Sequence, residues 1–227
     1  MRQLNELALF AGAGGGILGG HLLGWKTVCA VEYNAYARSV LLARQNDRTL
    51  APFPIWDDVR TFDGKPWRGI VDVVSGGFPC QAYSTAASGK NVADDLWSEM
   101  FRVVADVAPR FVFAENTSAD AILCACIDLE SLGYQTKSIA ISAKDLGADH
   151  IRERHWLLAY TNNEIEFMRT IHDEVEKLPE FSPSFWESSP YKYGIPDGVA
   201  FAMDRIKAIG NGQVPIVAAT AFMALTA

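Results

Sequence analysis

The sequence has 227 residues, of which 49% are hydrophobic and 21% charged, and its formal net charge is −7 at pH 7. This length and composition predict one globular domain with a sizeable core and argue against a membrane protein, because no apolar run approaches the ~20 residues of a membrane-spanning helix. The acidic balance argues against a broad nucleic-acid-binding surface, although phosphate contacts need only a local cluster of Arg and Lys.

The cysteines and the start of the chain indicate the cellular compartment. The four cysteines show neither Cys-x-x-Cys spacing nor the density of a disulfide-rich protein, so we expect reduced thiols. Together with the four histidines they form no ligand-spaced cluster, and no metal site is expected. Residues 1–6 lack the basic region and the long apolar stretch of a signal peptide. We therefore expect a cytoplasmic protein.

Strand and helix patterns alternate from the first residues onward. Strands are predicted at residues 4–11, 27–31, 71–75, 111–114, 137–141 and 155–160, with a short third element ending at 57–59. Helices are predicted up to about residue 23 and over 35–45, 96–107, 119–132 and 214–225. The alternation predicts an α/β fold with a doubly wound, mostly parallel seven-stranded sheet and functional loops along one edge.

The regular periodicity fades between residues 161 and 204, where Pro, Ser, Trp and Tyr are frequent. This pattern predicts a very small irregular insertion. We therefore expect a main domain over residues 1–160, the insertion over 161–204, and a C-terminal segment over 205–227 that returns to the main domain.

The turn after the fourth strand is the most informative part of the chain. Residues 76–81 read Gly-Gly-Phe-Pro-Cys-Gln and present Cys80 at the carboxyl end of a strand, where ligands bind in open α/β sheets. Pro79 fixes the local φ. A thiol presented in this way is typical of a nucleophile, while an isolated cysteine is equally often a small buried hydrophobic residue.

A glycine-rich turn, Phe-Ala-Gly-Ala-Gly-Gly at residues 10–15, separates the first strand from the first helix and lets a ligand approach backbone N–H groups. Its register differs from the Gly-x-Gly-x-x-Gly spacing of nicotinamide sites. Glu32 ends the second strand, where a carboxylate can bind both ribose hydroxyls, and Asp58 is placed to accept from an adenine amine. These features favour S-adenosylmethionine over a dinucleotide; alternatively, both carboxylates simply face solvent.

Charged residues from two more segments are expected at the same edge. Glu115 follows four apolar strand residues, where partial burial should raise its pKa and let it share a proton; alternatively, it caps a helix. Arg152 and Arg154 precede the last strand, and alternate residues of an extended segment point the same way, so both should face the site. The Gly-Asn-Gly-Gln-Val-Pro segment at 210–215 brings an amide near a ligand or caps the final helix.

In their order and approximate spacing, these segments resemble the DNA (cytosine-5) methyltransferase family over residues 7–221, particularly its compact bacterial and phage members. The resemblance implies the Rossmann-like fold of S-adenosylmethionine-dependent methyltransferases and methyl transfer to C5 of a flipped-out cytosine in double-stranded DNA. It implies that Cys80 adds to C6, Glu115 hydrogen-bonds N3 and the exocyclic amine, Arg154 reaches O2, and Arg152 holds the catalytic loop and a phosphate. The cofactor site that it implies comprises Phe10, Gly12, Gly14, Gly15, Glu32, Asp58, Val59, Phe78, Pro79, Leu96 and Asn211.

The chain departs from the family pattern mainly in its DNA-recognition part. Thr117 and His150 replace a usual valine and a frequent glutamine, and the insertion is far shorter than the family's target-recognition domain. We therefore expect a short or relaxed recognition sequence, with residues 84–96 as a mobile loop that closes over the flipped base. Candidate DNA contacts are Gln81, Ser84, Lys90, Trp186, Lys192 and Tyr193.

Other functions stay open on the sequence alone. The same pocket suits an RNA or nucleotide cytosine-5 methyltransferase, and an inactive cofactor-binding, DNA-binding subunit that needs a partner is a further possibility. The presence of Cys80, Glu115 and Arg154 together favours an enzyme. We expect a monomer in the cytoplasm of a bacterial or phage-infected cell, solitary or paired with a cognate restriction endonuclease.

Overall fold

The structure, a computed structural model, describes residues 3–79, 96–164 and 210–227. In these ranges the chain forms one sheet of seven strands: β1 (Asn5–Leu9), β2 (Lys26–Val31), β3 (Ile55–Trp56), β4 (Val73–Gly77), β5 (Phe111–Asn116), β6 (Gln135–Ser142) and β7 (Glu153–Tyr160). The α-helices there are α1 (Gly15–Leu22), α2 (Ala35–Asn46), α3 (Trp97–Val107), α4 (Ala119–Ser131) and α5 (Pro215–Thr226). None of these helices is long and apolar enough to cross a membrane.

The strand order is β3-β2-β1-β4-β5-β7-β6. Strands β1 to β5 are parallel, and β7 lies between β5 and β6, antiparallel to both. The chain proceeds outward from β1 to β3 and then returns to β4 on the other side of β1, so the order reverses between β1 and β4. Ligands bind beside the carboxyl ends of strands at such a reversal. The predicted doubly wound, mostly parallel seven-stranded sheet is confirmed.

Apolar layers cover both faces of the sheet. Helices α3 and α4 pack on one face, where Met100 and Leu129 are fully buried. Helices α1, α2 and α5 pack on the other face, through Ile17, Leu41 and Phe222 among others. Because each fully buried side chain of this size contributes roughly 1.5–3 kcal/mol, the sheet is a firm platform for the loops at its edge.

Local sequence explains where several helices begin. The side chains of Asn34 and Ser118 accept hydrogen bonds from the backbone N–H groups of Ala37 and Ala121, which caps α2 and α4. Pro215 occupies the first turn of α5, where its missing N–H costs nothing. The predicted bounds of α2 and α4 therefore agree with the structure to within one residue.

The third strand differs from the prediction. It covers only Ile55–Trp56, whereas the sequence suggested an element that ends at residues 57–59. The Asp58 carboxylate accepts from the backbone N–H of Arg60 and begins a short 3₁₀ helix, Val59–Thr61, which ends the extended backbone earlier. Of the predicted insertion at 161–204, only residues 161–164 belong to the described part, so the division of the chain at 160 and 204 stays a prediction.

Candidate active site

A pocket lies where the carboxyl ends of β1, β4 and β5 meet the segment before α5. Its lining comes from residues 8–12 of β1 and the following turn, Gly16 and Ile17 of α1, residues 75–77 of β4, Glu115 of β5, and residues 211–213. Of the residues predicted from sequence, it therefore brings together Phe10, Gly12, Glu115 and Asn211. Their convergence from three separate segments agrees with the expected site at this sheet edge.

The glycine-rich turn after β1 has backbone angles that favour glycine. Gly12 and Gly14 have φ values of 55° and 95°, in the left-handed region. Gly15 and Gly16 have a different role, since a Cβ on either would collide with Gln213. Gly15, expected to contact the cofactor, thus makes room for Gln213 against the start of α1.

The Glu32 carboxylate is fixed at the carboxyl end of β2. It accepts hydrogen bonds from the backbone N–H groups of Gly12 (2.6 Å) and Asn34 (2.7 Å) and is largely buried. Directly after it, Tyr33 is 70% exposed, and the nearby Arg60 guanidinium lies 5.4 Å from the centre of its ring. Sequence reasoning overlooked Tyr33, although an aromatic residue directly after the strand-ending carboxylate was a signal.

Three predicted cofactor residues have other structural roles. The Asp58 carboxylate is paired with the Arg60 guanidinium at 2.9 Å, and these hydrogen bonds lower its pKa. The side chain of Val59 is buried in the core, as is that of Phe78, whose ring lies 4.9 Å from that of Trp97. Val59 and Phe78 can therefore reach a ligand through their backbone but not through their side chains.

The backbone on both sides of residues 80–95 is held together. The amide of Asn116 donates to the Phe78 carbonyl at 2.9 Å, and the N–H of Leu96 donates to the Pro79 carbonyl at 3.4 Å. Residue 79 and residue 96 are therefore neighbours at the end of β4. Cys80 itself lies outside the described residues, as do the other candidates in this set: Gln81, Ser84, Lys90, Trp186, Lys192 and Tyr193.

A buried ion pair lies at the carboxyl end of β5. Arg154 Nε is 3.0 Å from Glu115 Oε1, and Gln213 Nε2 donates to Glu115 Oε2 at 3.3 Å. Burial raises the pKa of Glu115, and the charge of Arg154 offsets part of that effect. The predicted burial and raised pKa of Glu115 are confirmed, and Gln213 is a partner that the sequence analysis did not assign.

The second arginine holds the segment that precedes α5. Arg152 Nη2 donates to the backbone carbonyls of Gly210 (2.9 Å) and Gly212 (2.6 Å). In the described part of the chain, the contacts of Arg152 thus fix residues 210–213 against the pocket. The loop after Cys80, to which a link was expected, lies outside the described residues, so that link stays a prediction. The charges of both arginines lower the pKa of Glu115, against the larger effect of burial.

The paired glycines before Phe78 are explained by close packing. A Cβ on Gly76 would lie 2.6 Å from the Leu9 carbonyl oxygen, and one on Gly77 would lie 2.8 Å from Glu115 Oε2. Real Cβ atoms do not approach other atoms this closely. Glycine at these positions therefore allows β4 to pass directly beneath the Glu115 carboxylate.

Comparisons with known proteins show which family this chain resembles. The family model for C-5 cytosine-specific DNA methylases matches residues 4–192. Type II methyltransferase M.PspPI of Psychrobacter sp. (strain TA137) is 35% identical over 150 residues, which are 64% of this chain and 33% of that protein. Type II methyltransferase M1.HphI of Haemophilus parahaemolyticus is 31% identical over 190 residues, which are 76% and 50% of the two chains.

Solved structures show the same fold. The crystal structure of the S. pombe Dnmt2 methyltransferase matches 73% of this chain and 55% of its own, with a TM-score of 0.55 and 20% identity. The present chain spans about a third of the length of M.PspPI and half that of M1.HphI. The extent of the family match and the relatives' identities lead to one conclusion: this chain belongs to the C-5 cytosine-specific DNA methylase family.

Proposed function

We propose that this chain transfers a methyl group from S-adenosylmethionine to C5 of a cytosine flipped out of double-stranded DNA. The observation that carries this proposal is the buried Glu115–Arg154 pair. Glu115 lies opposite Gly77, at the end of β4, and the chain continues from there through Phe78 and Pro79 to Cys80. Family membership supports it, since the two relatives described above are named type II methyltransferases.

The chemistry requires a nucleophile at C6 of the cytosine and a proton donor at N3. C5 of cytosine is too weak a nucleophile until the Cys80 thiolate forms a bond to C6, which sends ring electrons toward N3 and C5. Because burial raises the pKa of Glu115, its carboxyl group can retain a proton and share it with N3 as that charge develops. Loss of the C5 proton after methyl transfer then expels the thiolate and restores the ring.

Arg154 and Gln213 position Glu115 for this role. The ion pair with Arg154, at 3.0 Å, and the hydrogen bond from the Gln213 side-chain amide, at 3.3 Å, engage one carboxylate oxygen of Glu115 each. A base that enters the site therefore meets a carboxyl group in a fixed orientation, with a guanidinium group beside it that can reach O2. Such prearranged donors stabilise charge without reorganisation during the reaction.

The pocket residues fit an adenosyl cofactor. A carboxylate has about four lone-pair sites, and Glu32 uses two of them for the N–H groups of Gly12 and Asn34, so two remain for ribose hydroxyls. The exposed Tyr33 ring and Phe10, at the pocket wall, are suited to the adenine. When bound, S-adenosylmethionine supplies the methyl group and its sulfonium leaving group. Asn211, which lies between the two glycines whose carbonyls accept from Arg152, would complete the pocket.

The wider assignments belong to the same proposal. The substrate is double-stranded DNA with a short or relaxed recognition sequence, and the loop from residue 84 to Leu96 closes over the base. The chain acts in the cytoplasm as a monomer, solitary or beside a cognate restriction endonuclease. The close approach of Pro79 and Leu96 supports the loop assignment, because it gives residues 80–95 two adjacent, fixed ends.

The test is methylation in a host that lacks cytosine methylation. Expression of the wild type should produce 5-methylcytosine in one short motif, or at many cytosines if specificity is relaxed, and Cys80→Ser should produce none. Cys124→Ser is the matched control, since Cys124 is exposed on α4, away from the pocket lining. Absence of marks with soluble wild-type protein would contradict DNA as the substrate, and tRNA and dCMP would then be tried as acceptors.

A further inference from the structure

A carboxyl group is buried in the middle of the sheet, beneath the pocket. Glu6 lies on β1 between Asn5 and Leu7, and it is 0% exposed. Its two carboxylate oxygens accept hydrogen bonds from two hydroxyl groups, Thr27 Oγ1 at 2.7 Å and Ser75 Oγ at 2.6 Å. Burial of an ionisable group costs free energy that Leu or Val would not cost at this position. A carboxyl group here therefore calls for an explanation.

The backbone around Glu6 is shaped to accept the carboxyl group. The register of β1 against β2 shifts after Glu6, which lies opposite Thr27, while Leu7 lies opposite Cys29. The extra residue turns Thr27 toward the Glu6 face of the sheet, whereas Cys29 packs on the other face. On α1, a Cβ at Gly20 would lie 3.3 Å from both carboxyl oxygens and 2.8 Å from the Trp25 ring.

Ser75 connects this buried group to the pocket. Its residue contributes to the pocket lining together with Ala8, the strand neighbour opposite it, and its hydroxyl donates to Glu6. The carboxyl group is thus a single hydrogen bond behind the pocket surface. A charge on Glu6 acts on a bound ligand across protein instead of water, so its effect is weakly screened.

No cation in the described residues neutralises Glu6 by an ion pair. The titratable groups on the neighbouring elements are His21 on α1 and Lys26 and Cys29 on β2; β4 and α5 carry none. Burial lowers the pKa of His21 and raises that of Cys29 to about 12, so both are uncharged near neutrality, and Lys26 is exposed. Burial raises the pKa of Glu6 to about 7, with the two hydroxyl groups opposing part of that rise.

We propose that Glu6, acting through Ser75, is a positioning residue that makes the pocket prefer the positively charged methyl donor to its demethylated product. The inference rests on the proposed function. S-adenosylmethionine carries a sulfonium charge, whereas S-adenosylhomocysteine has a neutral thioether and is otherwise the same molecule. An ionised Glu6 attracts the sulfonium and gives no comparable attraction to the thioether, so product leaves more readily than donor.

Donor binding should therefore be coupled to the release of a proton from Glu6. A cation in the pocket favours the ionised form of Glu6, so donor binding near pH 7 should expel a proton from Glu6 into solvent. Product binding should expel much less. The preference for donor over product should therefore be larger above pH 7, where Glu6 is already ionised, than below it. The sulfonium also lowers the pKa of the donor's own amino group, so Glu6→Gln serves as the reference for titration of the ligands themselves.

Calorimetric titration of the purified protein with each ligand, from pH 6 to 8.5, tests the inference without catalysis. We expect the ratio of the product Kd to the donor Kd to rise about tenfold more across this range in the wild type than in Glu6→Gln, which keeps the shape of the side chain. Ser75→Ala should reduce the preference while both ligands still bind. Repeating the titrations at pH 7 in buffers of different ionisation enthalpy counts the released protons.

The outcomes separate this inference from the proposed function. If both ligands bind and their Kd ratio depends on pH in the same way in the wild type and in Glu6→Gln, the inference is wrong and the methyltransferase assignment is unaffected. If neither ligand binds, the assignment itself fails. Should Glu6→Gln not fold, proton release by the wild type decides alone, because equal release with donor and product contradicts the inference.

Discussion

Replacement of Glu6 by Gln should change how the stability of the protein depends on pH. The pKa of Glu6 is about 7 in the folded state against 4.5 for an ordinary glutamic acid. Between these values the folded protein keeps a proton that the unfolded chain has released. Glu6 therefore contributes stability that is fully present below pH 4.5 and is lost as pH rises through 7. Gln at this position contributes no such dependence.

The expected size follows from the two pKa values. Their separation corresponds to about 3 kcal/mol in total, of which about 2.5 kcal/mol falls between pH 5 and pH 8. For a chain of 227 residues, a change of this size corresponds to roughly 5–10 °C in Tm. Relative to Glu6→Gln, the wild type should therefore lose about 2.5 kcal/mol of unfolding free energy on going from pH 5 to pH 8.

Urea unfolding, followed by tryptophan fluorescence at several pH values, measures this difference. Comparison of the two proteins cancels groups that titrate in both, such as Glu115. In Ser75→Ala the carboxylate loses one hydrogen-bond donor that favours its ionised form, so its pH midpoint should move upward. A difference between wild type and Glu6→Gln that stays constant within about 0.5 kcal/mol over this range would refute the account of a buried, titrating Glu6.

Three further substitutions test the proposed site. Gly77→Ala puts a Cβ 2.8 Å from Glu115 Oε2, so methylation should fall at least about tenfold, while circular dichroism should show that the fold is retained. Gly210→Ala is the control, because nothing lies within 4 Å of its Cβ, and it should remain active. Arg152→Ala removes two donations to the segment before α5 and should weaken S-adenosylmethionine binding about tenfold in calorimetry; unchanged affinity would contradict its role. Glu32→Gln should weaken the same binding about tenfold or more, and a wild-type Kd would exclude contact with the ribose.

Local patterns were sufficient to predict much of the sheet and its helices. The end of β2 was marked by an apolar run followed by Glu32, whereas β5 continues past its apolar run through Glu115 to Asn116. Asn34 and Ser118 marked helix starts. The parallel alternation of these elements then determined which ends share an edge. The third strand was misplaced because Asp58 caps a 3₁₀ turn, an interaction that periodicity does not reveal.

The pairings inside the site could not be predicted, because they join residues far apart in the chain. Gln213 meets Glu115 across 98 positions, and Ser75 meets Glu6 across 69. In the sequence, Glu6 appears only as one acid within a strand-like apolar run, and the register shift that turns Thr27 toward it depends on the assembled sheet. The same applies to Gly15 and Gly77, whose need for glycine arises from Gln213 and Glu115 packed against them.

The central claim is that this chain attacks C6 of cytosine in DNA through Cys80, with Glu115 and Arg154 beside the base. The most direct measurement uses duplex DNA in which 5-fluorocytosine replaces cytosine, because the fluorine blocks the final elimination and traps the enzyme on the base. Purified wild type with S-adenosylmethionine should give a denaturant-stable protein–DNA adduct that maps to Cys80, and Cys80→Ser should give none. Absence of an adduct from cofactor-binding wild type, or an adduct formed equally by Cys80→Ser, would contradict the account.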